Sequence, residues 1–185
     1  MKTQKSTAIQ VFTLCAMLIF GINAETQAKH EGKLNSPIAD QLPEFELSKL
    51  GENGEITRDS LKESYHLLYF WSVDCPISTR EMPYMHELYW NQAGENFEIV
   101  SVSVDEESEM VESFIDRVYP MPWIHTTAGG QNRQLEPFVT AFELDSFPVK
   151  ILISPEGEVI DITQGFGGKK YINKIEGLLA DSEPA

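Results

Sequence analysis

Two stretches of this chain are apolar without a break long enough to face water. His66-Leu67-Leu68-Tyr69-Phe70-Trp71 is one, and Phe97-Glu98-Ile99-Val100-Ser101-Val102-Ser103-Val104 is a looser second. Continuous rather than alternating apolarity suits strands covered on both faces, as in parallel sheets. Between the two, residues 76–91 carry Met82, Met85, Leu88 and Tyr89 at helical spacing. A strand, a helix and a strand at this length form a βαβ crossover. The rest of the chain has to fit around that unit.

Residues 43–47 alternate and read as a strand. A turn cluster at Gly51-Glu52-Asn53-Gly54 and a short strand at 55–57 complete a hairpin. Val111, Phe114, Ile115 and Val118 mark a second helix. The acids at its start, Asp105, Glu106, Glu107 and Glu109, complement the positive end of its dipole. Residues 134–142 read as a short third helix, with Pro137 limiting its start. Residues 148–153 form a strand, Ser154-Pro155-Glu156-Gly157 a turn, and 158–162 the returning strand. Tyr171, Ile172, Ile175, Leu178 and Leu179 are the apolar stripe of a final helix. The expected architecture is α/β, a mixed central sheet with helices on both faces and an N-terminal β-hairpin extension. In such sheets chemistry sits beyond the carboxyl ends of the parallel strands.

The N-terminus is built differently. Residues 1–10 carry Lys2 and Lys5 and no acid, residues 11–20 are apolar, and residues 21–24 relax that run with small residues. This is the pattern of a secretory signal peptide, and the apolar run is short for a membrane span. We therefore expect a signal at 1–24, a polar linker at 25–42 and one domain at 43–182. The protein is expected to be exported, periplasmic or secreted, with an uncleaved membrane anchor as the alternative. Cleavage after residue 24 takes the net charge from −15 to −17, which argues against nucleic-acid partners. It also removes Cys15 and leaves Cys75 as the sole cysteine of the mature chain.

Cys75 follows the first buried strand and opens the helix after it. Free N–H groups and the dipole at a helix start stabilise a thiolate, the form that attacks disulfides or peroxides. Ser78, one helical turn on, is placed to donate to the sulfur. The plainer alternative is a small buried hydrophobe, a common fate of free cysteine. Asp74, beside the thiol, opposes the dipole if both are poorly solvated. His30, His66, His86 and His125 show no ligand spacing, so neither a metal nor a cofactor is expected. His86 lies too far along the helix to serve Cys75 as a base. Gly129-Gly130 lacks the companions of a phosphate-binding loop, and Met121-Pro122-Trp123 reads as packing near the sheet end.

Together these pieces resemble the thioredoxin superfamily, and within it the TlpA/ResA-like exported thiol–disulfide oxidoreductases. The matching residues are Phe70-Trp71 before the cysteine, Cys75-Pro76, Glu81-Met82-Pro83, the strand ending at Asp105, Phe147-Pro148, and Pro155-Glu156-Gly157. The resemblance covers residues 43–179. It implies a thioredoxin-like fold and a cis bond at Pro148. It also implies a catalytic group of Cys75, Ser78 and Glu81, with Glu81 tuning the cysteine. Trp71, Asp74, Pro76, Phe147 and Pro148 would meet the substrate. Two positions depart from the pattern: Ser78 replaces the resolving cysteine and Asp74 replaces a tryptophan. The motif is then a monothiol C-x-x-S.

Thiol–disulfide exchange through Cys75 is the reading this supports. Its partners are protein or small-molecule thiols and disulfides, with an external reductant or thiol to resolve Cys75. Two alternatives stand beside it. One is a redox-inactive binding module on the same fold. The other is a one-cysteine peroxidase of the peroxiredoxin type, weakened by Tyr69 where that pattern has proline.

Overall fold

The strand read from residues 66–71 is the centre of the sheet. In the computed structural model, which describes residues 42–129 and 134–181, it runs from Tyr65 to Trp71 as β3. It pairs parallel to β4 (Phe97–Ser103) and antiparallel to β6 (Val149–Ile153). Its side chains alternate between two buried environments. Leu67, Tyr69 and Trp71 share a core with Met82, Met85 and Leu88 of α1 (Pro76–Asn91), Val111 of α2 (Ser108–Arg117), and Tyr171, Ile172 and Ile175 of α4 (Gly168–Ala180). Leu68 and Phe70 point the other way, to Phe138 and Phe142 of α3 (Glu136–Phe142) and to Leu42 and Phe45. Each such fully buried Leu or Phe contributes roughly 1.5–3 kcal/mol, which is why this strand carries no polar face.

The seven strands lie in the order β2-β1-β5-β4-β3-β6-β7. β1 (Glu46–Lys49) and β2 (Glu55–Thr57) form the expected hairpin, with Leu47 opposite Ile56. The strand starts three residues later than the alternation at 43–47 implied. Leu42 and Phe45 are buried ahead of it, so the alternation reflects core anchoring as well as pairing. β6 and β7 (Val159–Gln164) form the second hairpin. One strand was missed altogether: β5 (Ile124–Thr127) runs parallel to β4 and joins it to β1. The chain therefore has two consecutive βαβ crossovers, β3-α1-β4 and β4-α2-β5. Ile, His and two Thr in four residues carry too little apolarity for a buried strand, although three of the four are β-branched.

The expected signal (1–24), the linker up to residue 41, Cys15, Gly130 and residue 182 lie outside the described residues. Among the described residues, no helix is long and apolar enough to cross a membrane. Pro83 lies inside α1, where it removes one intrahelical donor.

Candidate functional site at the start of helix 1

Three strand ends and one loop meet at the carboxyl edge of β3. Ser72, Val73 and Asp74 lead from β3 to Cys75, which caps α1 with extended backbone angles (φ −95°, ψ 106°). Pro76 at the first helical position has no N–H to satisfy and a φ suited to the helix. The next donors are the N–H groups of Ile77 and Ser78. A Ser, Thr, Asp or Asn side chain at the cap can accept from such groups. Here the cap side chain is a thiol and no side-chain capping bond forms.

That geometry decides the acidity of Cys75. Partial burial pushes the thiol up. The Ser78 hydroxyl, then the N–H groups of Ser78 and Ile77, outweigh burial and hold Cys75 below the ordinary thiol value. The charge of Asp105 opposes them. The Ser78 hydroxyl is fully buried and has no bonded partner in the resting geometry. It is a donor held beside the sulfur, and the thiolate is the acceptor that would satisfy it. As a thiol, Cys75 instead points Sγ at the Phe147 carbonyl, 3.9 Å away. The Phe147–Pro148 bond is cis, as the resemblance implied. Tyr69 fixes the first turn from below, its hydroxyl donating to the Ser78 carbonyl at 3.0 Å. Burial, then the charges of Glu81 and Cys75, push the Tyr69 hydroxyl well above its ordinary pKa.

Asp74, expected to act on the thiol, is exposed and is absent from the groups that shift it. The carboxylate that does act is Asp105. Instead of complementing the α2 dipole, it turns back into the site. Its Oδ1 accepts from the Ser72 hydroxyl at 2.7 Å. Its Oδ2 accepts from the Val73 N–H at 3.0 Å and the Ser103 hydroxyl at 2.8 Å. Asp105 thus ties the β3–α1 turn to the end of β4. Gly129 is needed opposite it: a Cβ there would stand 1.9 Å from the Asp105 carbonyl oxygen.

Glu81 is not a solvated helix carboxylate, and it is absent from the groups that shift Cys75. It is fully buried, with Oε2 2.6 Å from Lys150 Nζ, and Lys150 is fully buried as well. Glu81 Oε1 accepts from the N–H groups of Gly167 (2.6 Å) and Gly168 (3.1 Å). Lys150 also donates to the Gly165 carbonyl at 2.5 Å and faces the Tyr171 ring at 5.0 Å. Burial lowers the Lys150 pKa, while the Glu81 charge opposes that. The pair fastens α1 to β6 and to the loop before α4. Lys150, Tyr69 and Asp105 were not among the expected site residues.

The other expected residues divide by exposure. Pro76 is exposed, Phe147 is half-buried and Pro148 is buried. Trp71, expected to meet substrate, is only 1% exposed and packs on Phe114 with ring centroids 5.7 Å apart. It supports the site from the core and has no surface to offer. His86 bonds the Pro120 carbonyl at 2.8 Å and packs edge-on to Trp123. Among the described residues, no group of three His, Cys, Asp or Glu side chains is placed to hold a metal. A cleft of about 270 Å³ lies elsewhere, lined by Lys49, Leu50, Trp123 and His125 among others, and includes none of these site residues.

A sequence profile of the AhpC/TSA family matches residues 38–162. The chain is 30% identical over 140 residues to the thiol-disulfide oxidoreductase ResA of Halalkalibacterium halodurans, covering 76% of each chain. It is 28% identical over 177 residues to ResA of Oceanobacillus iheyensis, covering 92% of this chain and 84% of that one. Among solved structures, the thioredoxin domain of a thiol-disulfide oxidoreductase from Bacteroides vulgatus superposes with a TM-score of 0.66 at 22% identity. That match covers 76% of this chain and 96% of the other. The fold is thioredoxin-like.

Proposed function

Because the chain belongs to the AhpC/TSA family, we propose that it is a thiol–disulfide oxidoreductase working through Cys75. The observation that carries this is the helix cap: a partly exposed cysteine with a lowered pKa, beside a Ser78 hydroxyl that has no other partner. The names of its ResA relatives support the same chemistry. In the reaction, the Cys75 thiolate attacks one sulfur of a client disulfide. A new S–S bond forms to Cys75, the client's other sulfur leaves as a thiolate, and solvent protonates it. Ser78 occupies the resolving position, so the second step comes from outside. An external thiolate attacks the client sulfur of the mixed disulfide and releases Cys75; a second external thiol completes reduction of the client.

The proposal includes export by a signal at 1–24, a linker at 25–42 and a working domain at 43–182. Phe147 and Pro148 line the client side of Cys75, with Asp74 and Pro76 at the rim. The test is titration of the thiol combined with mass spectrometry after exposure to glutathione disulfide. A pKa below that of free cysteine and a single adduct on Cys75 are expected. A raised pKa with no adduct would sink the reading. A second reading, a redox-inactive binding module, is favoured by Ser78 itself, which leaves Cys75 with no internal partner in the motif. Ser78→Cys separates the two: strong dithiol reductase activity in this variant marks an intact catalytic scaffold, and its absence marks a degenerate one.

A further inference from the structure

A buried ion pair contributes little net stability compared with a well-packed apolar pair, so the Glu81–Lys150 contact directs attention to what it holds. It holds residues 165–168. Glu81 accepts from Gly167 and Gly168, Lys150 donates to the Gly165 carbonyl, and the Gly165 N–H donates to the Pro148 carbonyl at 2.7 Å. The side chain displayed by this fastened loop is Phe166, 40% exposed.

Phe166 lies against the outer face of α1. Tyr84 meets it edge-on at 5.6 Å, and the Arg80 guanidinium carbon stands 4.4 Å from its ring centroid. Ile77, 48% exposed, precedes Arg80 by one helical turn. The patch is connected to the thiol by two chain segments. Ile77 follows Cys75 along α1, while Phe166 follows the residue bonded to Pro148, whose neighbour Phe147 faces the sulfur. Ile77 and Phe166 thus leave two apolar side chains exposed beside Arg80, which lies on the helix that Cys75 opens.

Charge narrows what fits. The chain carries a net charge of −15, yet Arg80 is exposed and has no carboxylate partner among the described residues. The nearby Lys169 is paired with Glu87. Arg80, with no carboxylate partner among the described residues and an exposed ring beneath it, is a local positive charge that favours an acidic group arriving with apolar surface.

We propose that Ile77, Arg80 and Phe166 form a docking platform for a polypeptide client that presents an apolar or aromatic side chain and a carboxylate beside its disulfide. This rests on the reading of Cys75 as an exchanging thiol and names its substrate class. The platform adds binding that a small uncharged disulfide cannot use.

The test compares three probes on the full chain: a peptide disulfide flanked by Phe and Asp, the same peptide with Lys for Asp, and 2-hydroxyethyl disulfide. Phe166→Ala is expected to lower the ratio of acidic-peptide rate to small-probe rate roughly tenfold, as loss of an aromatic anchor does. Arg80→Glu is expected to reverse the preference between the two peptides. Both positions are exposed, and thermal melts report whether the variants fold. Unchanged ratios in both variants overturn the platform. Non-covalent binding of the Ser-for-Cys peptides to Cys75→Ser protein separates the two ideas. Charge-dependent binding without thiol reactivity in the natural protein keeps the platform and removes the exchange chemistry. Reactivity without charge preference removes the platform and keeps the chemistry.

Discussion

Cys75 caps α1 and Glu81 lies inside the same helix, but their surroundings are opposites. Around Glu81 both charges are matched, although the Tyr171 hydroxyl beside them is buried without a partner. The two Glu81 oxygens accept from an ammonium and two backbone N–H groups, and Lys150 has two oxygen acceptors and an aromatic face. Around Cys75 capacity is left over: a buried hydroxyl without a partner, N–H donors at a helix start, and a sulfur turned toward a carbonyl at 3.9 Å. A fully satisfied buried charge has nothing further to offer a substrate. An unpartnered hydroxyl beside a group that can become an anion gives that anion a donor. The first region fastens α1 to β6 and to the loop before α4, and the second is where the proposed exchange would take place.

The largest test of this contrast is Lys150→Met. It strands the Glu81 carboxylate in the core, and breaking a buried pair from one side costs about 3–5 kcal/mol. Urea denaturation reads the loss directly. The double variant Glu81→Leu/Lys150→Met should recover only part of that stability, because the stranded charge is gone while the Gly167 and Gly168 N–H groups lose their acceptor. If Lys150→Met alone costs less than about 1 kcal/mol, then water reaches Glu81 and the clamp does not seal the core as described.

Asp105→Asn is the intermediate case, since this residue both braces the turn before Cys75 and opposes its thiolate. The amide keeps one acceptor oxygen and places donors opposite the Ser72 hydroxyl or the Val73 N–H. Leaving such a buried donor unmet costs about 1–3 kcal/mol. Removing the charge also removes the opposition to the thiolate, so the Cys75 pKa should fall further. A thiol titration in which it stays put or rises would show that Asp105 acts only as a brace for the turn.

Local pattern made β3, α1 and the two hairpins legible, because burial on both faces, helical spacing and turn residues act within a few positions. Cys75 was legible for the same reason: strand end and helix start are adjacent in the chain. The residues that surround it were not. Asp105 reaches Val73 across 32 positions, Lys150 reaches Glu81 across 69, and Gly167 reaches Glu81 across 86. No local period encodes such partners. Asp105 looked like a helix-dipole acid because three other acids follow it within four positions. A usable signal was its place at the end of a parallel strand, the same edge that carries Cys75. Trp71 was misplaced for a related reason: its nearness to Cys75 in sequence hid the alternation that sends it into the core.

Ser78→Ala carries the smallest effect on stability and the sharpest test of the leftover capacity. The hydroxyl it removes is buried without a partner, so stability should be unchanged or raised by up to about 1 kcal/mol. The thiol should respond in the opposite sense. Ser78 supplies the leading influence that lowers the Cys75 pKa, so the alanine variant should titrate higher than the natural protein. Linkage extends this to folding. In the natural protein the folded thiol releases its proton at lower pH than the unfolded thiol. The resulting stabilisation is present above the unfolded value and is lost as pH falls through the folded one. Urea midpoints across that alkaline window should therefore rise less with pH in Ser78→Ala, and in Cys75→Ser this increment should vanish. If the alanine variant is instead destabilised at neutral pH and its thiol pKa is unmoved, the hydroxyl is a structural donor already in use and the site holds no reserve for the thiolate.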